Sequence, residues 1–487
     1  MHAAFGFDDF LTINTVYVVA MSILYPLTWL LIPWVLLKRV VHPSARIAWI
    51  FTILFLPIVG GLLVLVLGVN RIKRGETERQ RAARELNEHL PEPQSPVGPP
   101  EDIHRRLKDL AQLGESLTGE PLVSNNRVTI LEKTSEAFGR LEQGMRGAKE
   151  SLHVCFYIWR SDRIGNRLRD VMIDKAREGI EVRFLYDGIG SMSLSRNSLR
   201  QMRDAGVRVA PWAAGQSFRD RWSVNLRNHR KIVVVDGDYA FTGGMNVGDE
   251  YLGRDPSFGY WRDTFVEIEG PAAARLQVVF TRDWYQATGE ALTRPFLYRS
   301  DIATGDTAVQ TLSGGPDDDA PVFWTMFFAA ITAAVERVTI STGYFVPPEH
   351  LMMALIAAAR RGVKVRLLTA GKNTYTHTLW AGRAYYAPLL RAGAEVYEYQ
   401  RGLFHAKTMV IDGLWWCVGT PNLDMRSLML NFEDAVAGFS STVAEELESQ
   451  FEADVKDSRR IDLEEWERRS VKHRLAEETC RLLAPVL

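Results

Sequence analysis

One pattern is written twice in this chain, and it restricts the fold more than any other feature. His229-Arg230-Lys231-Ile232-Val233-Val234-Val235-Asp236 is followed by Gly243-Gly244-Met245-Asn246. His405-Ala406-Lys407-Thr408-Met409-Val410-Ile411-Asp412 is followed by Gly419-Thr420-Pro421-Asn422. Asn trails His by 17 residues in both copies, a coincidence too close for two unrelated strands. The flanking order repeats as well. A strand-like run at 151–159 (SLHVCFYIW), a helical stretch, Gly179 and a second strand at 180–186 (IEVRFLY) come back as 337–345 (RVTISTGYF), a helix, Gly362 and 363–368 (VKVRLL). A further helix in each half ends in a similar phrase, RDAGVRV at 203–209 and RAGAEV at 391–396. Strands alternating with helices imply an α/β fold with parallel pairing. Recurrence at this spacing implies two tandem copies of one domain rather than a solenoid.

The repeated residues carry a chemistry. Along a strand, His and Lys two apart project to one side, and the apolar run up to Asp supplies core. The turn then returns Asn toward that side. If the halves pack about a pseudo-twofold axis, two His, two Lys and two Asn converge. Lys and Asn donate to the non-bridging oxygens of a phosphodiester, where charge grows in the transition state. One imidazole can attack phosphorus while the other protonates the leaving oxygen. The pattern requires no metal and no cofactor. Cys155, Cys417 and Cys480 are far apart and form neither a zinc spacing nor a disulfide framework. Among the 10 histidines, His153, His350 and His377 fall outside the pattern and read as structural or surface residues. Phe323, Trp324, Phe327 and Phe328 read as a buried helix face, and at least one of Trp415 and Trp416 as core.

The amino-terminal residues differ from the rest. Residues 10–37 carry no charge, except for what lies beyond them at Lys38, and a second apolar run covers 47–69. Each reaches the roughly 20 residues a helix needs to cross a bilayer, so a transmembrane hairpin is expected, interrupted by Pro26, Pro33 and Pro57. Arg71, Lys73, Arg74, Arg79, Arg81 and Arg84 outnumber the three bases of the connecting loop, which places the remainder of the chain in the cytoplasm. PEPQSPVGPP at 91–100 reads as linker. The expected domains are an anchor at 1–75, a basic and proline-rich linker at 76–120, and two α/β domains at 121–300 and 301–487. With 58 Lys+Arg against 59 Asp+Glu the chain lacks the basic excess of a nucleic-acid binder.

The two motifs resemble the HKD signature of the phospholipase D superfamily. Together with the hairpin, the linker and the phrases FYIWRSD, LYDGIGS and GYFVPPEHL, the chain resembles bacterial cardiolipin synthases along nearly its whole length. The resemblance implies a phosphatidyl transfer between two phosphatidylglycerol molecules, giving cardiolipin and glycerol through a phosphohistidine. It implies His229 as nucleophile and His405 as acid and then base. Lys231, Lys407, Asn246 and Asn422 are then phosphate ligands, with Gly244 and Thr420 in the substrate-binding turns. Asp236 and Asp412 complete the motif and read as structural charge partners. Asp263 (in WRDT) and Glu433 (in NFED) fit the acids that hold each imidazole. In the second copy Thr420-Pro421 stands where the family has Ser and a small residue, which puts the geometry of that turn in question. The implied setting is the bacterial inner membrane, multi-pass, with the domains facing the cytoplasm and a homodimer left open. Two other readings stand beside it: a phosphodiesterase of the same superfamily acting on phospholipid or nucleic acid, and an inactive membrane scaffold.

Overall fold

The repeated apolar runs form the central strands of both halves. In the computed structural model, which describes residues 22, 26–37, 43–66, 96–212, 226–255, 259–299, 303–372 and 375–484, the first half contains β1 (Val123–Leu131), β2 (Ser151–Phe156), β3 (Glu181–Asp187), β4 (Arg208–Trp212), β5 (Arg227–Asn228), β6 (Ile232–Val235), β7 (Tyr239–Gly243), β8 (Tyr260–Arg262) and β9 (Phe265–Glu269). The second contains β10 (Thr307–Gly314), β11 (Arg337–Thr342), β12 (Phe345–Val346), β13 (Lys364–Ala370), β14 (Glu395–Tyr399), β15 (Gly402–Phe404), β16 (Lys407–Ile411), β17 (Trp415–Gly419), β18 (Leu423–Asp424), β19 (Asn431–Phe439) and β20 (Ser458–Arg460).

Each half orders its strands in the same way. β2 pairs in parallel with β3 and β3 with β4, while β6, β7 and β9 continue antiparallel on the other side of β2. β11, β13 and β14 repeat the parallel part, and β16, β17 and β19 the antiparallel part. β1 and β10 join the halves into one mixed sheet. The helices cover it with two apolar cores. One gathers Phe138, Leu168, Phe184 and Phe241, and the other Phe323, Leu355, Leu389 and Trp415. Trp415 and Trp416 are both buried. In the helix Val322–Ala333, Phe323 and Phe327 are buried, while Trp324 is half-buried and Phe328 exposed.

Two short strands break the symmetry of separate halves. β5, immediately before His229, pairs with β19 of the second half, and β15, immediately before His405, pairs with β8 of the first. Asp187, in the LYDGIGS phrase, fixes β5 by accepting from Asn228 N at 3.0 Å, as well as from Ile189 N and Gly190 N.

Residues 105–118, inside the expected linker, form a helix. Its Leu107, Leu110 and Ala111 fall on one face and are buried with the second core, a periodicity that the neighbouring prolines mask. The amino-terminal unit, Met1–Thr77, is separate. Its described helices are Leu31–Leu37, Pro43–Phe55 and Pro57–Val66, with Val35, Ile53 and Val64 buried together. Among the described residues no helix is long and apolar enough to cross a membrane. The second expected span is divided at Leu56–Pro57, because proline lacks the N–H that would continue the ladder. Much of the first lies outside the described residues.

Candidate active site between the two halves

Each histidine backbone is tied to the opposite half: His229 N donates to Phe432 O at 2.8 Å and His405 N to Arg262 O at 2.7 Å. The side chains cross over too. His229 Nδ1 lies 2.7 Å from Glu433 Oε2, and His405 Nδ1 lies 2.7 Å from Asp263 Oδ2. A carboxylate only accepts, so each Nδ1 carries the hydrogen and each Nε2 presents a lone pair. Rings pack against both imidazoles, Tyr157 against His229 at 4.9 Å between centroids and Trp261 against His405 at 5.6 Å.

Both histidines, Asn246 and Asn422 line one cavity of about 390 Å³, within the range of small-ligand sites. Asn246 Oδ1 accepts from Ile158 N at 3.1 Å, which leaves its NH₂ as the donating end. Asn422 Oδ1 is buried without a hydrogen-bond partner. Lys231 and Lys407 are buried beside the histidines, and each Nζ donates to the carbonyl of the histidine two residues before it.

Burial dominates the electrostatics. It pushes both imidazoles down to about 4, with Lys231 and Lys407 acting in the same direction and Glu433 or Asp263 opposing. Desolvation lowers Lys231 to about 8 and Lys407 to about 7, the latter also through Lys231. Burial works against ionisation of Glu433, but His229 and Lys231 outweigh it and hold the carboxyl at about 2. For Asp263, His405 and Lys407 outweigh burial in the same way and the shift is downward. At neutral pH two neutral imidazoles therefore face a cavity backed by a largely charged Lys231 and by Lys407 near the midpoint of its titration.

The remaining sequence-derived positions lie elsewhere. Asp236 accepts from Lys149 N, Glu150 N and Ser151 N, and Asp412 from Val335 N, Glu336 N and Arg337 N. They anchor the starts of β2 and β11 through these backbone amides, and neither lines the cavity. Both adopt left-handed backbone, φ 52° and 51°, which Asp tolerates. Gly244 and Thr420 also stand back from the cavity wall. Gly244 N donates to Thr264 O and Thr420 N to Asp434 O, closing equivalent strand ends. The Thr420 hydroxyl is spent on the Asp434 backbone, so Pro421 leaves this turn intact. A Cβ at Gly244 would stand 2.1 Å from Asp263 Oδ1. His377 lines the cavity, whereas His153 is a core residue on Gln277 and Phe280. Arg227, Arg426 and Asn431 also line it; the repeat does not single them out. Among the described residues, no group of three or more His, Cys, Asp or Glu side chains could hold a metal ion.

Two α/β halves that close one cavity between a pair of histidine–lysine motifs define a phospholipase D-like protein. The family model described as cardiolipin synthase, PLD-like domain, matches residues 141–284 and 327–455. A cardiolipin synthase of Halalkalibacterium halodurans is 36% identical, the match covering 96% of this chain and 94% of that one. Cardiolipin synthase 1 of Bacillus anthracis is 34% identical, covering 98% and 96%. The phosphatidylserine synthase of Haemophilus influenzae has the same fold, with a TM-score of 0.59 at 14% identity over 78% of this chain and all of that one. The chain belongs to the cardiolipin synthase family of phospholipase D-like proteins.

Proposed function

We propose that the protein makes cardiolipin and glycerol from two phosphatidylglycerol molecules by way of a phosphohistidine. The observation that carries this reading is the crossed arrangement of the two histidines, each held through Nδ1 by a carboxylate of the other half, in one cavity. His229 Nε2 attacks the phosphorus of the donor as the bond from phosphorus to the glycerol oxygen breaks, and His405 gives its proton to that oxygen. The hydroxyl of the second phosphatidylglycerol then gives its proton to His405 as its oxygen displaces His229. Lys231, Lys407, Asn246 and Asn422 hold the phosphate oxygens. The imidazoles are neutral in the empty site. The anionic phosphodiester supplies the charge that favours a proton on one of them.

Residues 1–75 act as the membrane anchor, ahead of a linker and two domains divided near residue 300, at the cytoplasmic face of the inner membrane. Leu30, Leu37, Phe55 and Leu62 of that unit are 70%, 82%, 76% and 65% exposed, an arrangement suited to lipid and not to water. The test is purified full-length protein with phosphatidylglycerol vesicles, following cardiolipin and glycerol together. Equimolar release supports transfer; phosphatidic acid as main product transfers the assignment to a hydrolase.

A further inference from the structure

The two half-sites share their motif but not their walls. Arg227 pairs in register with Asn431 two residues before His229, and Leu403 pairs with Trp261 two residues before His405. Four residues after each motif Asn stand Arg426 in one half and Glu250 in the other. On the His405 side the wall is therefore aromatic, with Tyr251 edge-on to Trp261 at 4.5 Å, and Arg160 is neutralised by Glu250. On the His229 side two half-buried guanidiniums, Arg227 and Arg426, share the cavity wall. Burial together with Arg227 lowers Arg426.

Glu433, Asp424 and Asp187 stand near this wall. Glu433 holds His229 Nδ1 and Asn431 Nδ2, and Asp424 accepts from Ser427 N at 2.7 Å. The bond from Asn431 Nδ2 to Glu433 Oε1, 3.0 Å, also fixes the Asn431 amide, because a carboxylate cannot donate. Asn431 Oδ1 is left buried in the cavity wall with no hydrogen-bond partner in a residue only 7% exposed. A buried acceptor of this kind calls for a donor on the ligand.

We propose that this wall is the headgroup subsite of the acceptor lipid: Arg227 and Arg426 bind the acceptor's own phosphodiester, and Asn431 Oδ1 accepts from its secondary hydroxyl. The inference rests on the transfer reaction proposed above. In phosphatidylglycerol the reacting hydroxyl is three carbons from the lipid's own phosphate. An acceptor with that hydroxyl at phosphorus must bring a second anion close to the first. The histidines, lysines and Asn246 and Asn422 serve the reacting phosphorus, so the second anion needs separate cations.

The experiment is a competition. Full-length protein receives phosphatidylglycerol, as donor and acceptor, together with 1-butanol, which carries no phosphate, and cardiolipin and phosphatidylbutanol are measured in one reaction. In Arg227→Gln and in Arg426→Gln the ratio of cardiolipin to phosphatidylbutanol falls at least about tenfold, as expected for losing a charged hydrogen bond, and Arg426→Lys restores much of it. An unchanged ratio overturns the proposal. So does loss of both products, since the arginines then serve the reacting phosphate or the fold. Wild-type protein that forms neither product sinks the transfer reading instead. For Asn431, an acceptor lipid whose headgroup is propane-1,3-diol lacks the secondary hydroxyl and is used about tenfold less well than phosphatidylglycerol; equal use overturns that contact.

Discussion

Glu433 and His229 are 204 residues apart in the chain and 2.7 Å apart in space. The carboxylate fixes the tautomer that leaves Nε2 nucleophilic and stabilises the imidazolium when a proton arrives. Glu433→Gln keeps the shape and loses both effects. Its turnover falls by about 10²- to 10⁴-fold, on the precedent of amide replacements in histidine-carboxylate pairs, with KM little changed. Steady-state kinetics decide it, and a variant with near-normal kcat would refute the role.

Removing either imidazole stops the reaction at a different stage. His229→Ala forms no covalent phosphatidyl-enzyme, whereas His405→Ala accumulates it slowly and cannot discharge it to a lipid alcohol. Labelling from a phosphatidylglycerol carrying radioactive phosphorus, quenched in denaturant at alkaline pH where a phosphohistidine survives, separates the two. Label retained in His229→Ala and absent from His405→Ala would reverse the assignment.

Gly244→Ala tests packing rather than chemistry. A methyl group 2.1 Å from Asp263 Oδ1 must displace the carboxylate that holds His405. The variant is expected to fold, with a melting temperature close to wild type, and to lose activity to about the level of Asp263→Asn. Full activity in Gly244→Ala would show that the His405–Asp263 contact is dispensable.

Asp236→Ala and Asp412→Ala should do the opposite. Each deletes an acceptor for three backbone N–H groups and places alanine in left-handed backbone. A stability loss of roughly 2–4 kcal/mol follows for Asp236, whose three amides are buried or partly buried, and a smaller one for Asp412, whose amides are exposed or partly buried. Activity per folded molecule, measured well below the melting transition, is retained. Denaturant titration alongside the assay distinguishes this from a reacting role.

The pH profile of kcat/KM reports the empty site. Lys407, at about 7, and Lys231, at about 8, lose their protons and their charge as pH rises, so the alkaline limb falls through pH 7 to 8. The acid limb lies near pH 4, where His229 gains a proton as pH falls and ceases to be a nucleophile. His405 loses the proton it must give over the same range in the empty site, so kcat/KM already declines above about pH 4 and steepens through the lysine range. Bound phosphodiester favours the cationic forms, so the kcat limbs stand at higher pH than those of kcat/KM. A flat kcat/KM from pH 5 to 9 would count against the buried lysines as phosphate ligands.

What the duplication made readable was whatever both halves keep alike. His229 and His405, their lysines and their asparagines stand out because each is matched at one offset, and the α/β order follows from the repeated strand phrases. Asp236 and Asp412 repeat for a different reason, since two similar sheets each need their first amides anchored. Repetition alone cannot separate a reacting group from a structural one. Gly244 and Thr420 also repeat where two equivalent strand ends close. Arg227, Arg426 and Asn431 stayed hidden because their counterparts are Leu403, Glu250 and Trp261, so no comparison of one half with the other selects them. The helix at 105–118 was obscured by the prolines before it.

The exchange of β5 and β15 carries a consequence for damage. Each imidazole is seated by a strand and steadied by a carboxylate of the opposite half, so a lesion that loosens one half reaches the histidine of the other.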